Sequence, residues 1–393
     1  MIAEKIHRNL QQASLIRAMF EEGEKLRAIY GADKVFDFSL GNPDPEPPKE
    51  VKDSLRKLVM EDRPGLHGYM NNAGYPETRE KIAEAINKET GKKLSAQHIV
   101  MTCGAGGALN ITLKTILNPG EEVIVFTPYF GEYTFYIDNY SGTMVELPSN
   151  PDTFEPDLAQ LEKSITPLTK AIIINSPNNP TGVVYSEQLL KEMARIVDCK
   201  EEKFHTTIYV ISDEPYSKLV YDGIKLPYIL NIFRHSVLVN SFSKSHSLPG
   251  ERIGFVAVND AIENPKEFVD GLSFSNRILG YVNAPALFQR VITDSMEKVV
   301  DKAIYEERRD ILYNHLISLG FSCVKPQGAF YLFPKTLIPD DIEFKNRALK
   351  HNLVVVPGRS FGCPGYFRIS YCVGRDTITN SLPAFSALAE EFK

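Results

Sequence analysis

The sequence predicts an α/β fold with a mostly parallel seven-stranded sheet between helices, forming a large domain, plus a smaller α+β domain. Two patterns carry this. Seven short, β-branched apolar runs are separated by helix-like stretches, and the runs are nearly continuous in their apolarity, as parallel strands buried on both faces are. After about residue 290 the pattern changes to a long charged helical stretch followed by shorter strand-like pieces. With 393 residues and 43% hydrophobic content, the chain can bury more than one core.

The seven runs are HIVMTCG (98–104), EEVIVFTP (121–128), TMVELP (143–148), AIIINSP (171–177), TIYVISDEPY (207–216), SVLVNSFSK (236–244) and GFVAV (254–258). Helical periodicity fills several gaps, as in SEQLLKEMARIVDCK (186–200). The segment VITDSMEKVVDKAIYEERRDILYNHLISLG reads as one long helix closed by Gly320, a C-cap residue. GAFYLFP, NLVVVPG and YFRISYCV then read as strands of the second domain. A helix over about 12–30 and the segment VFDFSLGNPDPEPP join them, so 48–290 form the large domain and 1–47 with 291–393 the small one.

Charge and composition narrow the function. The net charge of −6 and the lack of a basic run argue against nucleic acid. No apolar stretch approaches the roughly 20 residues of a membrane helix. The start, MIAEKIHRNLQQAS, carries charge and glutamine where a signal peptide needs an apolar core. The five scattered cysteines lack a C-x-x-C spacing, so reduced thiols and a cytoplasmic setting are expected. Eight histidines without H-E-x-x-H give no support to a metal site.

In open parallel sheets, ligands bind beyond the carboxyl ends of the strands. Those ends carry Cys103-Gly104-Ala105-Gly106-Gly107, Pro128-Tyr129-Phe130, Asn178-Asn179-Pro180-Thr181-Gly182, Asp213-Glu214-Pro215-Tyr216 and Ser241-Phe242-Ser243-Lys244. This is a glycine-rich turn, an aromatic ring, an amide, a carboxylate with a tyrosine, and a lysine. Pyridoxal phosphate uses each of them. Its aldehyde forms an imine with a lysine, here Lys244, whose freed amine then shuttles a proton. Its ring nitrogen needs a carboxylate, Asp213. Its ring oxygen takes donors from Asn179 and Tyr216. Its phosphate suits the amides of Ala105 and Gly106 at a helix start, with Ser241 and Arg252. Phe130 supplies a flat surface for the ring. Each residue singly has an ordinary explanation in packing, a turn or a solvated surface. Their order at successive strand ends does not.

The most specific pieces are NSPNNPTG, SDEPYSKL and SFSKSHSLPGERIG. From FSLGNPD to FRIS, the chain resembles the fold-type I, pyridoxal-phosphate-dependent aminotransferases of class I/II. The last piece is similar to the family's S-x-S-K-x-x-x-x-P-G-x-R-x-G pattern. The resemblance implies ping-pong transfer of an amino group between an L-amino acid and a 2-oxo acid through Lys244. It also implies a homodimer in which Tyr69, in HGYMNNAGYPETRE, reaches the partner's cofactor phosphate. Arg368, in FRIS, would clamp the substrate α-carboxylate, and Gly41 would let backbone approach the substrate. The segment 272–287 falls where the resemblance places the family's partner-subunit specificity loop. Arg277 there would suit an acidic substrate side chain, while Tyr133 and Tyr69 would suit an aromatic or aliphatic one. One departure stands out: GAGG lacks the hydroxyl residue often found at the phosphate turn.

Same-fold lyases, such as a C–S β-lyase or an aminocyclopropane-carboxylate synthase, share every cofactor residue and differ on the substrate side. A cofactor-binding regulatory domain normally follows a DNA-binding domain, and the roughly 45 residues before the large domain hold no basic recognition helix. A nicotinamide-dependent dehydrogenase is disfavoured because GAGG does not extend to G-x-G-x-x-G.

Overall fold

The structure, a computed structural model, describes residues 2–12, 14–61 and 64–393. All seven runs become strands of one sheet: β1 (Ile99–Thr102), β2 (Glu122–Thr127), β3 (Thr143–Pro148), β4 (Thr169–Asn175), β5 (Tyr209–Asp213), β6 (Ser236–Ser241) and β7 (Gly254–Val258). The spatial order is β1-β7-β6-β5-β4-β2-β3. Only β7 runs opposite to the other six strands.

The sheet is covered on both faces, which explains the unbroken apolar runs. In β1 all four residues are buried. Val100 faces the helix Gly104–Ile116 and joins Leu109 and Ile111 in one core cluster. Ile99 and Met101 face the other way, onto Ile82 of helix Pro76–Thr90 and Val291 of helix Ala286–Ser295. The expected helix after residue 186 is Glu187–Phe204, capped by the Ser186 hydroxyl, which accepts from the Leu189 amide at 3.2 Å.

Both ends of the chain build a second body. Phe36–Asp37 pairs in parallel with Leu353–Val354. Val356–Pro357, Phe367–Ser370 and Tyr331–Leu332 form an antiparallel sheet. Phe38, Phe330, Phe344, Phe367 and Phe385 fill their common core. The helix expected over about 12–30 is Ser14–Tyr30, preceded by Glu4–Gln12; position 13 lies outside the described residues.

One expectation is corrected. The stretch 291–320 is not one helix but the end of Ala286–Ser295 and a second helix, Ala303–Ser318. Between them, the Val300 amide donates to the Ser245 carbonyl at 2.8 Å, and Val300 is buried in the second core. The chain leaves helical geometry there to pass from one core to the other. Gly320, at φ +92°, does close the second helix.

Arg309, on that second helix, is the largest fully buried side chain. Asp222 binds it through both oxygens at 2.8 and 3.0 Å, the Pro326 carbonyl accepts from it at 2.9 Å, and it lies 4.9 Å from the Tyr221 ring. Asp222→Ala removes the bidentate partner of a buried cation. Its expected cost is about 1–3 kcal/mol in denaturant unfolding. An unchanged midpoint would show that Asp310 and Glu306 suffice as counter-ions.

Candidate active site

Six strands end at one edge of the sheet, and the antiparallel β7 begins there. Gly254 pairs with Thr102 and with Ser241. The residues just before β7 therefore arrive where the other strands finish, which brings Arg252 to the same edge as Gly104, Asp213 and Lys244.

Lys244 sits on the helical turn Phe242–Ser245, directly after β6. Its Nζ donates to the Gly41 carbonyl at 2.6 Å and lies 5.5 Å from the centre of the Phe330 ring. A Cβ at position 41 would fall 2.2 Å from the Tyr331 hydroxyl, so only glycine permits this approach. Burial lowers the lysine to about 8, and Arg252 and Arg368 push the same way. The amine is thus available without its proton near neutrality.

Asp213 ends β5 and is buried. Its Oδ2 accepts from the Tyr133 hydroxyl at 2.6 Å. Its Oδ1 is buried with no partner among the described residues. Burial raises Asp213 to about 6, against the Tyr133 bond. The next residue, Glu214, turns to the other face, where its carboxylate accepts from the Ser212 hydroxyl at 2.6 Å. Burial raises it further, to about 8.

Arg368 is buried on the strand Phe367–Ser370. Nη1 donates to Asn179 Oδ1 at 3.1 Å and Nη2 to the Ser39 carbonyl at 2.6 Å, while Nε has no partner among the described residues. The guanidinium lies 4.8 Å from the ring centres of both Tyr331 and Phe361. Among the described residues no carboxylate pairs with it, and burial lowers its pKa. The Tyr331 hydroxyl shares a 2.8 Å bond with that of Tyr216.

At the third corner, the helix Gly104–Ile116 begins with no side-chain cap. Gly104 has φ +72°, and a Cβ there would lie 2.6 Å from Arg252 Nη2. Arg252 is itself left-handed at φ 52°, held by a 2.9 Å bond from Nη1 to the Pro249 carbonyl. Ala105 and Gly106 occupy the first turn, and Ser241 is buried at the end of β6. Phe130 packs edge-on to Tyr133, with ring centres 5.6 Å apart.

One sequence expectation shifts. Tyr133, read as a pocket tyrosine, is fully buried and serves Asp213 instead. Arg277 is exposed on helix Pro265–Ile278, over the ring of Phe274. Tyr69 is 91% exposed. Sequence reading missed the bond from Tyr133 to Asp213 and the role of Tyr331. The spacing of Phe130 and Tyr133, three residues apart at a helix start, was the available signal for the first. Nothing local marked Tyr331, because Tyr216 and Arg368, which its hydroxyl and ring meet, lie far from it in sequence.

Pyridoxal phosphate fits these residues. The orphaned Asp213 oxygen awaits a donor such as a ring N–H, since an unpaired buried carboxylate oxygen is costly. The uncapped helix start beside Arg252 suits a phosphate. The apo-protein should take up pyridoxal phosphate faster as pH rises, about tenfold per unit below pH 8 and level above it, because Lys244 reacts unprotonated. Stopped-flow absorbance between pH 6 and 9 measures this. A flat profile would show that the amine is not held near 8.

Comparison with known proteins agrees. The model of the family "Aminotransferase class I and II" matches residues 33–384. A probable aspartate/prephenate aminotransferase of Thermus aquaticus is 33% identical, over 88% of this chain and 90% of its own length. An aminotransferase structure from Eubacterium rectale superposes with a TM-score of 0.96 at 39% identity, covering 100% of both chains. An aspartate aminotransferase from Thermus thermophilus with maleate gives 0.86 at 29% identity, over 95% of this chain and 96% of that one. With a lysine, an unpaired aspartate oxygen and an uncapped helix start at one sheet edge, the chain belongs to the class I and II aminotransferases and is a fold-type I, pyridoxal-phosphate-dependent enzyme.

Proposed function

We propose that this aminotransferase divides its labour among the residues as follows. Lys244 holds and moves the proton at the substrate Cα. Arg368 grips the α-carboxylate, and the Gly41 backbone lines the same place. Asp213, fixed by Tyr133, keeps the ring nitrogen protonated. Asn179 spends its carbonyl on Arg368, which leaves its amide nitrogen for the cofactor's ring oxygen. If Tyr331 donates to Tyr216, the Tyr216 proton is likewise free for that oxygen. Ala105, Gly106, Ser241 and Arg252 hold the phosphate, and Phe130 covers the ring. Bound pyridoxal phosphate supplies an electron sink for the Cα. An amino-acid donor and a 2-oxo acid acceptor are the substrates.

The observation that carries this reading is Arg368: a buried guanidinium with an unpaired Nε and no carboxylate among the described residues. Such a cation is poised for a planar anion. Every amino acid and every 2-oxo acid brings one.

The reading extends to a homodimer of cytoplasmic chains, whose five free thiols stay reduced in that compartment. Tyr69 is supplied across the dimer interface to the neighbour's phosphate. Its 91% exposure, with Phe274 at 52% and Ile278 at 49%, supports a second copy as the cover. We also propose two domains, 48–290 and the joined 1–47 with 291–393. The strand pairing of both termini supports this, although helix Ala286–Ser295, whose Val291 packs with Ile82 in the large domain's core, runs across position 290.

Purified protein with pyridoxal phosphate and 2-oxoglutarate, screened against single amino acids including aspartate and phenylalanine, should form glutamate and the matching 2-oxo acid. Arg368→Lys loses the planar fork. Its kcat/KM should fall for all donors alike, by about 2–4 kcal/mol in transition-state stabilisation. A loss confined to acidic donors would place Arg368 in the side-chain pocket instead.

The shared site is tested by mixing two dead parents, Lys244→Ala and Tyr69→Asp. If Tyr69 crosses the interface, a hybrid dimer has one doubly damaged site and one intact site. Activity should return in proportion to the hybrid formed. No recovery, with hybrids shown by native mass spectrometry, would place Tyr69 in its own chain's site.

A further inference from the structure

The turn that faces the phosphate reads Cys103-Gly104-Ala105-Gly106-Gly107 and carries no hydroxyl side chain. The fold supplies a hydroxyl from elsewhere. Tyr136 lies on the helix Glu132–Asp138, three residues after Tyr133 and therefore on the same side of it. A Cβ built on Gly106 would stand 3.0 Å from Tyr136 Oη and 3.8 Å from its Cζ. The tyrosine hydroxyl thus occupies the space into which a serine or threonine at 106 would reach.

Two more observations agree. Tyr136 is half-buried and makes no hydrogen bond among the described residues, although its helix neighbour Tyr133 is fully engaged by Asp213. Its hydroxyl lies within the fields of both Asp213 and Arg252, the groups that mark the nitrogen end and the phosphate end of the site. Burial, and then Glu132 and Asp213, raise its pKa, so it keeps its proton and can donate it.

We propose that Tyr136 is a phosphate ligand for pyridoxal phosphate, donating from the tyrosine hydroxyl in place of the one missing from the glycine-rich turn. The proposal rests on the cofactor reading given above. One short helix then serves both ends of the cofactor, through Tyr133 on Asp213 and Tyr136 on the phosphate. It also explains Gly106: a side chain there would compete with the tyrosine for one place.

The test compares binding of pyridoxal phosphate and of unphosphorylated pyridoxal to the apo-protein, by absorbance and fluorescence titration. Tyr136→Phe should weaken pyridoxal phosphate about tenfold or more, the usual loss for a hydrogen bond to a charged group, and leave pyridoxal unchanged. Adding Gly106→Ser to Tyr136→Phe should restore much of the loss, because the serine then enters the vacated space. Gly106→Ser alone should not tighten binding. Equal weakening of both ligands, or of neither, would overturn the role of Tyr136. Unaltered pyridoxal binding also certifies that the variant is folded. Wild-type apo-protein that bound neither ligand would instead overturn the cofactor reading itself.

Discussion

A guanidinium taken out of water without a counter-ion must be held by geometry rather than by charge, and Arg368 is held by three separate parts of the chain. Asn179 comes from the loop after β4, Ser39 from the amino-terminal segment, and Tyr331 and Phe361 from the second body. Each offers a dipole or a ring face, and none offers a full negative charge. The arginine is therefore fixed in direction but not neutralised. Desolvation of a charge is expensive, so the arrangement is stable in proportion to how well a carboxylate completes it. On the function proposed above, the affinity for an α-carboxylate would be stored in this incompleteness.

The same logic governs the other buried groups. Lys244 is desolvated and faces two arginines, so its neutral form is favoured. Asp213 is desolvated and bonded on one oxygen only. A positive ring nitrogen beside it would return the carboxylate to its charged form. Asn179 steadies Arg368 through its carbonyl, and in the proposed function the same amide would also serve the cofactor. Substrate grip and cofactor electronics would then be coupled through one side chain.

The sheet's single reversal matters for the phosphate end. Had β7 run parallel, its leading residues would have lain at the opposite edge, and Arg252 with them. Because it is antiparallel, its start meets the ends of β1 and β6. The left-handed turn at Arg252 and the side-chain-free Gly104 then let guanidinium and helix start touch. A glycine-rich turn alone would be a weak anion site; in the proposed function, the arginine laid against it would strengthen it.

The order of strands along the chain, their burial on both faces and the strand-end residues Asn179, Asp213, Ser241, Lys244 and Arg252 could be read from sequence alone. Local pattern suffices for these, since apolar period, turn chemistry and motif spacing are all properties of neighbouring residues. The break at 296–302 could not be read, because Val300 leaves the helix to satisfy Ser245, some 55 residues earlier in sequence. Nor could the true place of Tyr133, whose helix period gives a face but not what the face meets. Tyr331, the unpaired oxygen of Asp213 and the nearness of Tyr136 to Gly106 are likewise facts of tertiary contact. The sequence determined which chemistry the chain carries. Only the fold decided which groups were left unsatisfied, because a missing partner is defined by everything packed around it.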